Sequence, residues 1–260
     1  MIRSVDARIR NYLLHHFEVT RWGKNLKKLQ GKYCGKRCFI IGNGPSLTAK
    51  DLDKLKDEYT FAFNRIYYIF DQTSWRPTFY CTQDAKIAQA SAKEIKEKIE
   101  TPYLFAPINL KWYEDVDIDS DFFFSPKQAG DHVPEFSENI PRYIGVGNTV
   151  AYTAMQLAVY MGFSEIYLLG VDHSFHTYQD QNGNIIIDPS AKDYFCAEYN
   201  QDKDTLFVPK LDLSTLSYVA AEKFAENHPV SIYNATRGGK LEVFPRVDFD
   251  SLFPQEKSEG

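Results

Sequence analysis

The residues best suited to chemistry are Gly42-Asn43-Gly44-Pro45-Ser46, which follow the apolar run Cys38 to Ile41. Gly42 and Gly44 permit backbone angles and close approaches that a β-carbon forbids. Pro45 lacks an amide donor and suits the first turn of a helix. Ser46 or Thr48 can cap that helix, with Asp51 as an early-turn acid. A strand, a glycine turn and a helix N-terminus in this order make an anion site on which a nucleotide phosphate can rest. A plain strand-to-helix turn is the alternative, because short glycine-rich turns are weak motifs.

A second constellation suits proton transfer. The apolar run Ile166 to Val171 ends in Asp172-His173, with His176 three residues on. Histidine titrates near neutral pH and suits exchange of a proton with a hydroxyl. Asp172 can orient a histidine or act as the base itself. Asp84 is another acid at a predicted strand end. The competing readings are a turn role for Asp172 and a solvated loop for the histidines. Asp172, His173 and His176 lack a strong zinc spacing. The Asp-x-Asp pairs at 51/53, 115/117, 117/119 and 248/250 follow no clear buried strand, so no metal and no other cofactor is expected. A second glycine turn, Asn234 to Lys240, offers Arg237 and Lys240 to neutralise phosphate charge, Arg being suited to two-pronged oxyanion binding. Exposed basic residues on an ordinary turn are the alternative there.

These groups need a scaffold. The pattern predicts a helix over 5–30, strands near 37–42, 61–63, 77–82 and 102–106, and helices over 48–57 and 85–99. Residues 111–142 are acidic and aromatic with weak periodicity and read as loops. Asn148 to Met161 has small and apolar residues on most faces, as a buried helix does, and Gly162 is a natural stop. Residues 173–205 form a polar stretch too long for an ordinary connection. A helix over 213–227 and a strand over 230–233 follow. Strands alternating with helices argue an α/β, Rossmann-like, doubly wound and mostly parallel sheet. The expected organisation is a basic amphipathic helix over 1–36, a nucleotide-binding domain over 37–250 and a polar tail over 251–260. Such sheets bind ligands beyond the carboxyl ends of their strands, where Gly42 to Ser46, Asn64, Asp84, Asp172 to His176 and Asn234 to Lys240 all fall.

The chain has 260 residues, is 43% hydrophobic and carries a net charge of −5. No run approaches the roughly 18 apolar residues of a membrane helix, and the first residues lack a signal-peptide pattern. Four scattered cysteines read as free thiols in a reducing compartment, so a cytoplasmic address is expected. Ten lysines and arginines lie between Met1 and Arg37 against Asp6 and Glu18, which leaves the remaining body strongly acidic. The basic segment either packs on the domain with a solvated face, the preferred reading, or touches an anionic inner membrane surface peripherally. Nucleic acid is not an expected partner of so acidic a body.

The run Phe39 to Leu47 resembles the N-terminal turn of bacterial sialyltransferases that use a CMP-activated sugar on a single Rossmann-like domain. Phe63 to Tyr68 resembles that family's strand-end asparagine segment, and Thr149 to Asp172 its central helix–strand unit. The same blocks are similar to a broader family of MptE-like domains, named after an archaeal hydroxymethylpterin diphosphokinase and recurrent in surface-glycan and flagellin-modification proteins. Ile232 to Glu242 fits that broader family better. The resemblance covers residues 37–248.

The resemblance implies contacts from Asn43 and Asn64 to the CMP part of a donor, with Asn148 and Thr149 beside the nucleotide at a helix N-terminus. Of the two tyrosines that stabilise the departing phosphate in the sialyltransferases, the first falls on Ser174 and is lost; Tyr178 is the candidate for the second. The family's general-base histidine falls near Val208-Pro209, and neither residue is a base. Asp172, His173 and His176 are left for that work.

The expected activity is a metal-independent glycosyltransferase. It would move a sialic or nonulosonic-acid type sugar from a CMP-linked donor to a surface-glycan or lipid-linked acceptor. Another copy of the chain, in a homo-oligomer, is a further expected partner. A Mg²⁺-dependent diphosphokinase acting from ATP on a pterin-like alcohol is the second reading. A non-catalytic nucleotide-binding module of glycan assembly is the third.

Overall fold

Phe39, Ile40 and Ile41 are fully buried, as a strand covered on both faces must be. They belong to β1 (Arg37–Ile41), near the middle of a sheet in a computed structural model that describes residues 2–130, 132–188, 190–200 and 208–254. Ahead of it run α1 (Ile2–His15) and α2 (Arg21–Lys27). Then come α3 (Ala49–Asp53), β2 (Tyr59–Phe63), β3 (Phe79–Cys81), α4 (Ala85–Lys98), β4 (Leu104–Pro107), α5 (Ile108–Trp112), β5 (Phe122–Phe124), β6 (Pro126–Gln128) and β7 (Ile144–Val146). The chain continues through α6 (Val150–Tyr160), β8 (Glu165–Leu169), the hairpin of β9 (Thr177–Gln179) and β10 (Ile185–Ile187), α7 (Leu211–Ala225) and β11 (Ser231–Asn234).

The central sheet has seven strands in the order β11-β8-β1-β2-β3-β4-β5, and every pairing in it is parallel. The chain therefore moves outward from β1 in one direction and later returns to its other side through β8. The reversal lies between β1 and β8, and the loops leaving their carboxyl ends part there to open a crevice. That is the doubly wound architecture expected, with a sheet parallel throughout.

α6 forms the floor support of this crevice. Its residues Val150 through Ala158 are all buried. Gln156 within it satisfies its whole amide: Oε1 accepts from the amides of Ser137 and Gly145 at 3.0 Å, and Nε2 donates to the carbonyls of Gly145 at 2.8 Å and Tyr152 at 3.1 Å. A buried side chain of this polarity is tolerated because each of its hydrogen-bonding groups is used.

Three expectations are corrected. The basic segment is not one helix. A 3₁₀ turn at Phe17–Val19 and the Thr20 cap, which accepts from the Gly23 amide, separate α1 from α2. A β-carbon at Gly23 would stand 2.2 Å from the Phe17 carbonyl oxygen, so the two halves meet closely there. α2 packs on the domain: Leu26 is fully buried, and the Trp22 ring meets Phe123 edge-on at 5.8 Å. Second, the aromatic stretch read as loops contains β5, because Phe123 and Phe124 are buried at the sheet edge beside β4. Third, residues 251–253 are not a free tail: the Phe253 ring lies 6.0 Å from that of Phe39, and the Leu252 carbonyl accepts from Arg37 at 3.2 Å. Residues 255–260 lie outside the described residues.

Candidate functional site

The crevice at the β1–β8 divergence is a cleft of about 540 Å³. Gly42, Asn43 and Gly44 line one wall, with Asn64 and Asp84 from the ends of β2 and β3. Asn148 and Thr149 line it at the start of α6, and Asp172 and His173 after β8. Nine of the predicted residues are thus brought together by strands far apart in sequence.

The glycine turn works differently from a phosphate cradle. The Gly42 amide donates to the Leu169 carbonyl at 2.7 Å and the Gly44 amide to that of Gly170 at 2.9 Å. Both donors are spent on the neighbouring strand. The need for glycine is steric: a β-carbon at Gly42 would lie 2.2 Å from the Gly170 oxygen, and one at Gly44 1.9 Å from Asp172 Oδ2. Helix α3 is five residues long, and Thr48 with Asp51 closes its N-terminus in a capping box. The start of α6, at Thr149 to Ala151, does open on the cleft, as do the first residues of α4 and α7.

Asn43 and Asn64 carry the unmet hydrogen-bonding capacity of the cleft. Asn43 Nδ2 donates to the Phe63 carbonyl at 3.1 Å, which orients the amide. Its Oδ1 and that of Asn64 are buried with no hydrogen-bond partner among the described residues. Asn64 also holds a left-handed φ of 52°, a conformation asparagine tolerates better than most residues. Two buried acceptors without donors cost free energy until something supplies hydrogen bonds.

The acid–base pair is set by its surroundings. Asp172 is buried, which pushes its carboxyl above the ordinary carboxylate range, opposed by Ser46. The Ser46 hydroxyl donates to Asp172 Oδ2 at 2.7 Å. His173 has a φ of 53°, and burial lowers its pKa against the pull of Asp212. Its Nε2 lies 2.8 Å from Thr215 Oγ1, and that hydroxyl donates its own proton to the Leu211 carbonyl at 2.9 Å. Thr215 must therefore accept from Nε2–H, which assigns the histidine lone pair to Nδ1. Asp84 caps α4 by accepting from the Ile87 amide at 3.1 Å, while burial raises its pKa.

Five predicted residues do not line the cleft. Ser46 stands behind Asp172. His176 sits at the base of the β9–β10 hairpin, its Nδ1 2.7 Å from the Asp188 carbonyl. Tyr178 lies within β9, paired with Ile186. Arg237 is bound to Asp51 at 2.6 Å and Asp250 at 2.9 Å, so it ties the second glycine turn to α3 and the C-terminal segment. Lys240 lines a separate depression with Lys192.

Sequence reasoning passed over Tyr194 and Tyr199. Their rings stack with centroids 3.8 Å apart, and both line the cleft. The segment carrying them is strapped down by the Phe195 amide, which donates to the Asn43 carbonyl at 3.0 Å, and by Arg65, which donates to the Tyr199 carbonyl at 3.0 Å. Their one signal was aromatic density within a polar stretch. Val208 and Pro209, where the sialyltransferase histidine would fall, do face the cleft.

A family model described as "6-hydroxymethylpterin diphosphokinase MptE-like" matches residues 10–177. No curated protein matches the chain. The solved MAf glycosyltransferase from Magnetospirillum magneticum AMB-1 aligns with 94% of this chain at 16% identity and a TM-score of 0.53. The chain spans 39% of that protein's length, and the likeness is one of fold. With its parallel sheet, its crevice and a family match from residue 10 through the strand-end acid, this chain belongs to the MptE-like family.

Proposed function

We propose that the chain is a glycosyltransferase of glycan biosynthesis that takes a sugar from a nucleotide donor held in the β1–β8 cleft. The donor in this reading is a CMP-linked sugar of the sialic or nonulosonic-acid type. The observation that carries the reading is the pair of orphaned acceptors, Asn43 Oδ1 and Asn64 Oδ1. Ribose hydroxyls and the exocyclic amine of cytosine are donors of the kind these atoms need. The α6 N-terminus, capped by Thr149 and facing the cleft, suits a phosphate. Asp172 or His173 takes the proton of the acceptor hydroxyl. The likeness of fold to the solved MAf glycosyltransferase supports the same class.

The family description favours a second reading, a diphosphokinase working with Mg²⁺ and ATP. Asp84 and Asp172, two of the three carboxylates that line the cleft with Asp193, are the ones that would hold the cation. They fit it poorly: burial favours their neutral forms, and each already accepts a hydrogen bond, from Ile87 and Ser46.

A thermal-shift panel of CMP, CDP, UDP, GDP and ATP, each with and without Mg²⁺, separates the two. A ligand at about 100 times its dissociation constant stabilises by about 2.7 kcal/mol. A metal-independent response to CMP, lost in Asn43→Ala and in Asn64→Gly, is expected. Glycine at position 64 removes the amide while keeping the left-handed backbone. A response confined to ATP with Mg²⁺ would select the diphosphokinase, and silence to every nucleotide would overturn both.

A further inference from the structure

Asp172 and Ser174 belong to two cavities at once. Besides the cleft, they line a depression of about 370 Å³ on the outer side of the loop after β8. Pro45, Ser190, Ala191 and Gly239 form its walls, and Lys192 and Lys240 stand on it. The second glycine turn builds this place. The Lys240 amide donates to the Asp172 carbonyl at 2.7 Å, and a β-carbon at Gly239 would come within 2.8 Å of that same oxygen. Gly239 keeps a φ of 74°, open to glycine. The turn thus fixes the Lys240 backbone against that of Asp172, which lines both cavities.

Resting on the transferase reading above, we propose that this depression is the acceptor subsite, and that the acceptor is a sugar bearing a carboxylate or phosphate. The chemistry of the walls sets that class. Lys192 has no carboxylate partner among the described residues, and Lys240 is shared with Asp188 at 3.3 Å across an exposed contact. Ser174 offers a hydroxyl for polyol hydrogen bonds, and Ser190, whose own proton goes to Asp188 at 2.6 Å, offers an acceptor. Asp172, on the wall common to both cavities, takes the proton of the acceptor hydroxyl. The freed oxygen pair forms a bond to the donor's anomeric carbon as that carbon's bond to the phosphate oxygen breaks. The phosphate leaves with the electron pair toward α6, and Asp172 later returns its proton to water. His173, which lines the cleft and not the depression, is not the acceptor's base.

Saturation-transfer NMR on the full chain tests this with glucuronate, glucose 6-phosphate and glucose, inorganic phosphate being read as a competitor that displaces the glucose 6-phosphate signal, alongside the nucleotide thermal shift. Both charged sugars are expected to bind about fivefold or more tightly than glucose, the worth of one or two exposed charge pairs. Lys192→Gln with Lys240→Gln brings them to the level of glucose and leaves the nucleotide response unchanged; both lysines are exposed and the fold is not at risk. Equal binding of glucose, or charged-sugar binding that survives the double substitution, would overturn the subsite. Inorganic phosphate binding as tightly as glucose 6-phosphate would overturn its assignment to a sugar. Lysine-dependent binding of charged sugars with no nucleotide response would leave the depression standing as a sugar-anion site and overturn the transferase reading beneath it.

Discussion

The Ser46 hydroxyl, at the end of the first glycine turn, holds the buried carboxylate of Asp172 across a 2.7 Å hydrogen bond. The two residues are 126 positions apart and meet because β1 and β8 are parallel neighbours. The bond counteracts burial, which pushes the Asp172 carboxyl upward. A carboxyl whose folded pKa exceeds its unfolded value contributes stability that is full below the unfolded value, near pH 4, and is lost as pH rises through the folded one. Asp172→Asn is therefore expected to melt higher than the parent at pH 7 and to lose that advantage at pH 3. Transfer activity should fall at least about a hundredfold, as for loss of a general base. Melting curves at the two pH values check the first point, and a lower melting temperature for the variant at pH 7 would refute it.

His173 gives the opposite slope. Burial lowers its pKa below the ordinary value. Its stabilising contribution is present above pH 6.5 and is lost as pH falls through the folded value. His173→Gln keeps a donor for Thr215 and should flatten the fall in melting temperature between pH 7 and pH 5. Thr215→Val leaves the buried Nε2–H unpaired and should cost about 1–3 kcal/mol at pH 7. Denaturant titrations measure both.

Arg237 distinguishes a structural from a phosphate-binding cation. Its partner Asp51 is almost wholly buried, at 3% exposure. Arg237→Ala should destabilise the chain by about 1–2 kcal/mol, the range between an exposed pair and a buried one broken from one side. The nucleotide-induced shift should be unaltered. A variant of parental stability with a lost nucleotide response would return Arg237 to the phosphate.

Gln156 supports the α6 N-terminus from inside. Gln156→Leu strands the amides of Ser137 and Gly145, two buried donors. Each unpaired group costs about 1–3 kcal/mol, so a loss of at least about 2 kcal/mol is expected in urea unfolding. Gln156→Glu retains an acceptor but surrenders the donors to Gly145 and Tyr152, and should not restore stability.

Local pattern determined the elements and their ends. Apolar runs stopped by Gly42, Asn64, Asp172 and Asn234 are legible as buried parallel strands, because a covered strand must be continuously apolar and must end where polarity or glycine begins, although β8 itself stops at Leu169. From there the crevice follows, since parallel strands place their carboxyl ends together. β5 and the break at Phe17 to Thr20 were not legible, because short runs are set by the neighbours they meet.

What each residue does was decided in three dimensions. Nothing local says that the Gly42 and Gly44 amides are taken by Leu169 and Gly170, that Arg237 is claimed by Asp51 and Asp250, or that Tyr194 and Tyr199 close on the cleft. Hydrogen bonds and ion pairs go to whichever partner the fold brings within reach, over separations of more than a hundred residues. Residue type and strand position determine which chemistry is available in this chain. The topological switch between β1 and β8 decides which of those groups share a cavity, because it sets which strand ends diverge.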